Sequence, residues 1–175
     1  MEMTQLIADV FQAAQTGNAE RLTAILTSHP QLAHTENGEG LTPLGYAAHF
    51  GNAEAVKALL DYGAEVDQVS HSKIAFIPSN TALHAAIAGK RSLEVIQLLL
   101  GRGAQTNIGD SNGHTSLHTA AFHDDNEAII RLLIEHGAKV DALSGAGETA
   151  LSIAVRQGNH NVAELLRQCG ANYVS

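Results

Sequence analysis

Apolar residues recur along this chain in short runs at helical spacing, and the runs themselves recur. Leu44, Ala47 and Ala48 fall at i, i+3 and i+4, as do Leu83, Ala86 and Ile87, which predicts short amphipathic helices whose small Ala positions let neighbours approach closely. A second stripe follows in each run, such as Val56, Leu59 and Leu60 or Ile130, Leu133 and Ile134, so the pattern predicts helix pairs. The first helix of a pair opens on threonine. Thr42-Pro43-Leu44-Gly45-Tyr46-Ala47-Ala48 returns from Thr81 as Thr-Ala-Leu-His-Ala-Ala, from Thr115 as Thr-Ser-Leu-His-Thr-Ala-Ala, and from Thr149 as Thr-Ala-Leu-Ser-Ile-Ala. A hydroxyl at that point accepts an orphan amide of the helix start, and Pro43 occupies the first helical position, where no amide is missed. The second helix ends on Gly-Ala at Gly63, Gly103, Gly137 and Gly170, glycine being the residue that adopts the left-handed stop.

An earlier, cryptic copy has Val10, Ala13 and Ala14 as its first stripe, Gly17-Asn18 as its turn, and Leu22, Ile25 and Leu26 as its second stripe. Polar residues replace apolar ones in the outermost copies. Arg21 stands where later copies carry Ala55, Val95, Ile129 and Val162, and Arg167 stands where earlier ones carry Leu60, Leu100 and Ile134. A finite stack needs such substitutions where its end layers face water, so the array is expected to be complete within these residues.

The combination Thr-Pro-Leu-x-x-Ala-Ala, a Gly-Asn turn, a Leu-rich second helix and Gly-Ala resembles the ankyrin repeat, over residues 4 to 173. The resemblance implies an all-α ankyrin-repeat solenoid of antiparallel helix pairs with protruding turns. It predicts one domain over 1-175 in five tandem units, at about 4-36, 37-69, 70-108, 109-142 and 143-175. It also implies non-enzymatic binding of a partner protein on the concave surface formed by first helices and turn tips, with affinity drawn from many pre-organised contacts. The implied partner-binding positions are Glu39, Leu41, His49, Phe50 and Tyr62 in the second unit and Ile77, Asn80, Lys90 and Arg102 in the third. In the fourth unit they are Asn112, His114, Phe122, His123 and Asp124, and in the fifth Glu148, Arg156 and Gln157. Phe50, Tyr62 and Phe122 are the expected anchors, because aromatics bury much area with few rotors and the repeat's packing pattern does not require them.

The period is broken in one place. Motif threonines lie 34 residues apart from Thr81 to Thr115 and again from Thr115 to Thr149, but 39 apart from Thr42 to Thr81. The excess falls in Gln68 to Asn80, around Lys73-Ile74-Ala75-Phe76-Ile77-Pro78, a stretch without the Gly found two residues before Thr at Gly40, Gly113 and Gly147. Two readings stand: the apolar tip is a contact site, or Ile74, Phe76 and Ile77 fold back over the adjacent helices. Single extra residues also lengthen the turns around Lys90 and Asp124.

Composition narrows the function further. Ten Lys plus Arg against eighteen Asp plus Glu give a net charge of -8, which argues against nucleic acid and anionic membranes as partners. A single Cys169 forms no internal disulfide, the N-terminus lacks a signal-peptide pattern, and no apolar run is long enough for a membrane span, so a reducing cytoplasmic setting is expected. Cys169, just before Gly170, reads as a partly exposed passive thiol.

Ten histidines invite a metal or acid-base reading, and His114, His118, His123, Asp124 and Asp125 are the densest set. His123, Asp124 and Asp125 are adjacent at a turn rather than spaced on one helix face, so no metal is expected there. For His84 and His118, in the Thr-x-Leu-His motif, the resemblance to ankyrin repeats implies hydrogen bonds to loop backbone. No nucleophile elbow, phosphate loop or Cys-x-x-Cys pair occurs, and no catalytic residue or cofactor is assigned. The alternatives are a self-associating structural subunit, with the chain a monomer or weak homo-oligomer, and a metal-dependent enzyme built on the 114-125 cluster.

Overall fold

The computed structural model describes residues 2–171, so the last four residues of the fifth predicted unit lie outside the described residues. Among the described residues all regular structure is helical: α1 (Met3–Thr16), α2 (Ala19–Ser28), a short 3₁₀ turn (Pro30–His34), α3 (Pro43–His49), α4 (Ala53–Asp61), α5 (Ala82–Ala88), α6 (Leu93–Gly101), α7 (Ser116–His123), α8 (Glu127–Glu135), α9 (Ala150–Gln157) and α10 (His160–Gln168). The fold is all-α, built of antiparallel helix pairs with protruding turns, as the repeat implies. These residues gather into two compact units that divide between Ala104 and Gln105. In the first, α1, α3 and α5 stack in one layer and α2, α4 and α6 in the other. In the second, α7 stacks on α9 and α8 on α10.

The sequence pattern explains each boundary. Thr42 Oγ1 accepts the Gly45 amide at 3.0 Å with Pro43 at the first helical position, so α3 starts as predicted. Thr81 and Thr115 open α5 and α7 with capping boxes in which the third residue is histidine. The Thr115 amide donates to His118 Nδ1 at 3.0 Å, which fixes that nitrogen as an acceptor and leaves Nε2–H to donate to the Glu148 carbonyl at 2.9 Å. His118 is therefore a neutral, buried cap that ties α7 to the next turn, the loop-backbone role expected of it. Gly63, Gly103, Gly137 and Gly170 have φ of 104°, 91°, 91° and 92° and stop the second helices.

Most of the predicted stripe positions form the core: Leu44, Leu83, Leu117 and Leu151 are buried, as are Val56, Leu59, Ile130 and Leu133, while Leu60 and Ile134 at the ends of their stripes are half-buried. Leu22, Ile25 and Leu26 fill the α1–α2 pair, while Arg21 lies on its exposed face and pairs with Asp9 at 2.9 Å. A recurring asparagine, which the apolar pattern does not reveal, links successive pairs. Asn52 Nδ2 donates to the Ala14 and Gln15 carbonyls at 2.9 and 2.8 Å, and Asn159 Nδ2 to the Ala121 carbonyl at 2.8 Å. Each thereby satisfies carbonyls left open at the end of a first helix in the preceding pair.

Candidate partner-binding surface

The turn tips are built by one short polar side chain each. Asn37, Asp110 and Ser144 donate their amides to the carbonyls of Leu41, His114 and Glu148, four residues on, at 3.0, 2.8 and 2.8 Å. Their side-chain oxygens turn back to accept amides inside the turn: Glu39 and Leu41 on Asn37, Asn112 and His114 on Asp110, and Ala146 and Glu148 on Ser144. Glycine closes the turn at Gly40, Gly113 and Gly147, with φ of 78°, 75° and 77°. The Asp110–His114 tip also docks on the Ser144–Glu148 tip, since Gly145 N donates to the Asn112 carbonyl at 3.0 Å. Glu39, Leu41, Asn112, His114 and Glu148 are thus carried on frames fixed by their own backbone; Glu39 and Asn112 are exposed and the other three half-buried.

The long interval is resolved at the same place. Ser70 N donates to the Asn80 carbonyl at 2.9 Å and the Asn80 amide to Ser70 Oγ at 3.0 Å, ten residues apart where the other tips pair at four. Six residues are therefore inserted within an otherwise normal turn, with Asn80 at its base. Of the apolar residues in the insert, Ile74 and Ile77 are half-buried, whereas Phe76 is 86% exposed.

The ends of the first helices carry the second group. At the end of α3 four rings run in series: Phe11 meets Tyr46 edge-on at 4.9 Å, Tyr46 meets Phe50 at 5.9 Å, and Phe50 meets His49 at 5.0 Å. Phe50 is half-buried in this series and His49 exposed. Burial and the nearby Glu39 carboxylate push the Tyr46 hydroxyl above the usual phenol range. At the end of α7, Phe122 is 46% exposed and meets only the His123 ring, at 5.1 Å, among the ring pairs of its helix end. Phe50 lies eight residues after its motif threonine and Phe122 seven, so Phe122 is the register equivalent of His49. One residue is about 100° around a helix, enough to turn the ring from the half-buried edge to the open one. Phe11 and Tyr46 escape the stripe pattern because both sit between stripe positions.

The remaining predicted positions scatter around these frames. Lys90, exposed, closes the lengthened turn after α5, its amide donating to the His49 carbonyl at 2.9 Å. Tyr62 is half-buried and its hydroxyl lies 3.1 Å from Thr27 Oγ1. Exposed Arg102 pairs with Asp61 at 2.7 Å; that bond, with a second from Lys57, holds the Asp61 carboxyl below its ordinary range. Arg156 is exposed and paired with Glu148, and Gln157, His123 and Asp124 are exposed. None of the seventeen positions is buried.

Within the His and Asp residues at 114–125, His118 and Asp125 carry structural bonds. Burial, outweighing the bond to Glu148, pushes the His118 imidazole below the usual histidine range, and the neighbouring His114 adds to this. Asp125 Oδ1 accepts the Val162 amide at 2.8 Å, and its Oδ2 accepts from the Asn161 amide at 3.3 Å and Nδ2 at 3.1 Å. Its carboxylate therefore caps the start of α10. The extra residue in the α7–α8 turn, read from the sequence only as a lengthening, accompanies that reach. Cys169 is exposed at the end of α10.

Comparison with known proteins places these features in a family. The family described as ankyrin repeats in three copies matches residues 10–110 and again 83–175. The chain is 38% identical over 63 residues to a transient receptor potential cation channel subfamily A member 1 homolog of Caenorhabditis elegans, covering 36% of this chain and 5% of that protein. It is 36% identical over 93 residues to the transient receptor potential channel pyrexia of Drosophila melanogaster, covering 53% and 9%, and 34% identical over 99 residues to inversin of Gallus gallus, covering 57% and 8%. The matched region is thus under a tenth of the length of each of these three relatives.

Proposed function

We propose a binding function from one premise: the chain belongs to the ankyrin repeat family. Ankyrin repeats are generally protein–protein interaction modules, and no helix among the described residues is long and apolar enough to cross a membrane. On this reading the five tandem units form a non-enzymatic scaffold. It would hold a partner protein against the turn tips and first-helix ends, in a reducing cytoplasmic setting, without nucleic acid.

The observation that supports it is a division of labour along the repeat. Motif residues such as Thr42, Leu44, Leu83 and His118 are buried, while every one of the seventeen variable positions at tips and helix ends keeps contact with solvent. The backbones of the tip positions Glu39, Leu41, Asn112, His114 and Glu148 are already fixed by hydrogen bonds, so a partner would cost them little backbone ordering entropy on binding. Phe50 and Phe122 present apolar area, the His49 and His123 rings adjoin them, and Lys90 follows next to His49.

Affinity capture with the full chain from its source, followed by calorimetric titration of the purified partner, tests the reading. Phe122→Ala is expected to weaken binding about 5- to 100-fold, the range of aromatic anchors. A partner bound equally well after substitution of Phe50, Phe122 and the tip residues would refute this surface.

A further inference from the structure

We propose that Asn37 is a site of covalent self-modification, in which the Gly38 nitrogen closes on the Asn37 side chain, expels ammonia and leaves aspartate or isoaspartate in the turn tip. The inference concerns the tip's own backbone and does not depend on the binding reading above. Asn-Gly occurs twice in the chain, at Asn37 and Asn112, and both pairs lie in tips of the same build. Their hydrogen bonds fall on different atoms.

At the first pair, Asn37 Oδ1 accepts the Glu39 amide at 2.9 Å and the Leu41 amide at 3.1 Å. The Glu39 bond closes a ring that runs through Cγ, Cβ, Cα, the backbone carbonyl carbon and the Gly38 nitrogen, so the side-chain carbonyl is folded back towards the nitrogen that attacks it. Oδ1 is also the atom on which negative charge develops as the new bond forms. The two amides therefore strengthen their hold in the transition state. Among the described residues the Gly38 amide and Asn37 Nδ2 donate to nothing, which leaves nucleophile and leaving group unrestrained. Gly38 is exposed and has no side chain to shield its nitrogen. The Asn37 carbonyl accepts the Gly40 amide at 3.0 Å, a bond that does not touch that nitrogen.

The second pair is arranged the other way. The Gly113 amide donates to the Asp110 carbonyl at 2.9 Å and the Asn112 carbonyl accepts the Gly145 amide at 3.0 Å, so the peptide that must turn is pinned on both sides. Here Asp110 builds the tip, its Oδ1 accepting the Asn112 and His114 amides.

The reaction needs only water. Hydroxide takes the Gly38 amide proton, the nitrogen bonds to Asn37 Cγ, and the Cγ–Nδ2 bond breaks as ammonia leaves with a proton from water. Water then opens the cyclic imide. Cleavage between Cγ and nitrogen gives aspartate, and cleavage between the backbone carbonyl carbon and nitrogen gives isoaspartate, with the main chain rerouted through Cγ. Aspartate keeps the turn, as Asp110 does in the equivalent tip, and adds a negative charge beside Glu36 and Glu39. Isoaspartate lengthens the main chain by a methylene, which puts the Asn37–Leu41 pairing out of register. The strain reaches the insert, because the His71 and Lys73 amides donate to the Gly40 and Glu39 carbonyls, both at 2.9 Å.

Incubation of the full chain, folded and in urea, with peptide mapping by mass spectrometry and isoaspartate-specific methyl transfer, tests the assignment. In the folded chain, conversion of amide to acid is expected about 5- to 10-fold faster at Asn37 than at Asn112, the factor set by freeing the Gly113 amide. The rate should rise with pH, and urea should remove the preference. Gly38→Ala, whose added Cβ meets nothing within 4 Å, should suppress conversion without changing the urea melt. Isoaspartate-enriched protein should exchange its His71 and Lys73 amides faster than fresh protein. Folded chain that converts as fast at Asn112 as at Asn37, or does not convert at Asn37, would overturn the proposal, as would a preference for Asn37 that persists unchanged in urea.

Discussion

Replacing Gly113 and Gly147 by alanine, one at a time, separates two costs that the turn tips combine. Both glycines lie in the same compact unit, both close the same kind of turn, and their φ angles are 75° and 77°. The backbone penalty of a left-handed alanine, about 1–2 kcal/mol, is therefore common to both, as is the gain of about 0.4–1 kcal/mol from a stiffer unfolded chain. Their surroundings differ. A Cβ on Gly147 meets nothing within 4 Å, while one on Gly113 would lie 2.5 Å from Gly145 N and 3.1 Å from Gly145 Cα. The only relief is to part the two tips, which breaks the Gly145–Asn112 hydrogen bond, worth about 0.5–1.5 kcal/mol net, and the packing around it. Gly113→Ala is thus expected to cost about 1–2 kcal/mol more than Gly147→Ala in urea melts, and to speed amide exchange at Gly145. Equal costs, within about 0.5 kcal/mol, would mean that neighbouring tips do not dock and that the surface they form is not rigid.

Other consequences are equally direct. Unfolded His118 titrates near 6.5 and the folded residue below that, so the unfolded state binds more protons as pH falls; stability conferred by this neutral cap is complete above about 6.5 and declines below it. His118→Gln, which can still close the capping box, should flatten that part of the pH–stability profile relative to wild type, and an unchanged slope would refute the assignment. Asp125→Ala should cost about 0.5–2 kcal/mol by uncapping α10, with faster exchange at Asn161 and Val162. Phe50→Ala should lower stability by about 1–2 kcal/mol because its ring packs against Tyr46 and His49, whereas Phe122→Ala, on the open edge, should lower it by less than about 0.5 kcal/mol in the same melts.

The architecture was legible because its signals are local and redundant. A capping threonine, a leucine two residues later and a stopping glycine each demand a particular backbone, and four copies in phase leave little freedom. The position of the insert was legible for the same reason, as a break in that phase. The orientation of its side chains was not: Ile74, Phe76 and Ile77 are equally apolar, and only the hydrogen bonds of the Ser70–Asn80 loop decide which of them turns outward. The aromatic series at α3 was hidden because Phe11 and Tyr46 stand off the stripe and meet across two helix pairs. The different exposures of Phe50 and Phe122 follow from a one-residue offset that counting from Thr42 and Thr115 does reveal. Asn52, Asn159 and Asp125 act through bonds to backbone 36 to 38 residues away, which no local pattern records.

Amide hydrogen exchange of the full chain, free and saturated with its captured partner, tests the central claim most directly. Protection gained at the turn tips and the ends of α3, α5, α7 and α9, with α2, α4, α6, α8 and α10 unchanged, is the predicted result. Protection confined to the second helices, or spread evenly over both helix layers, would contradict it.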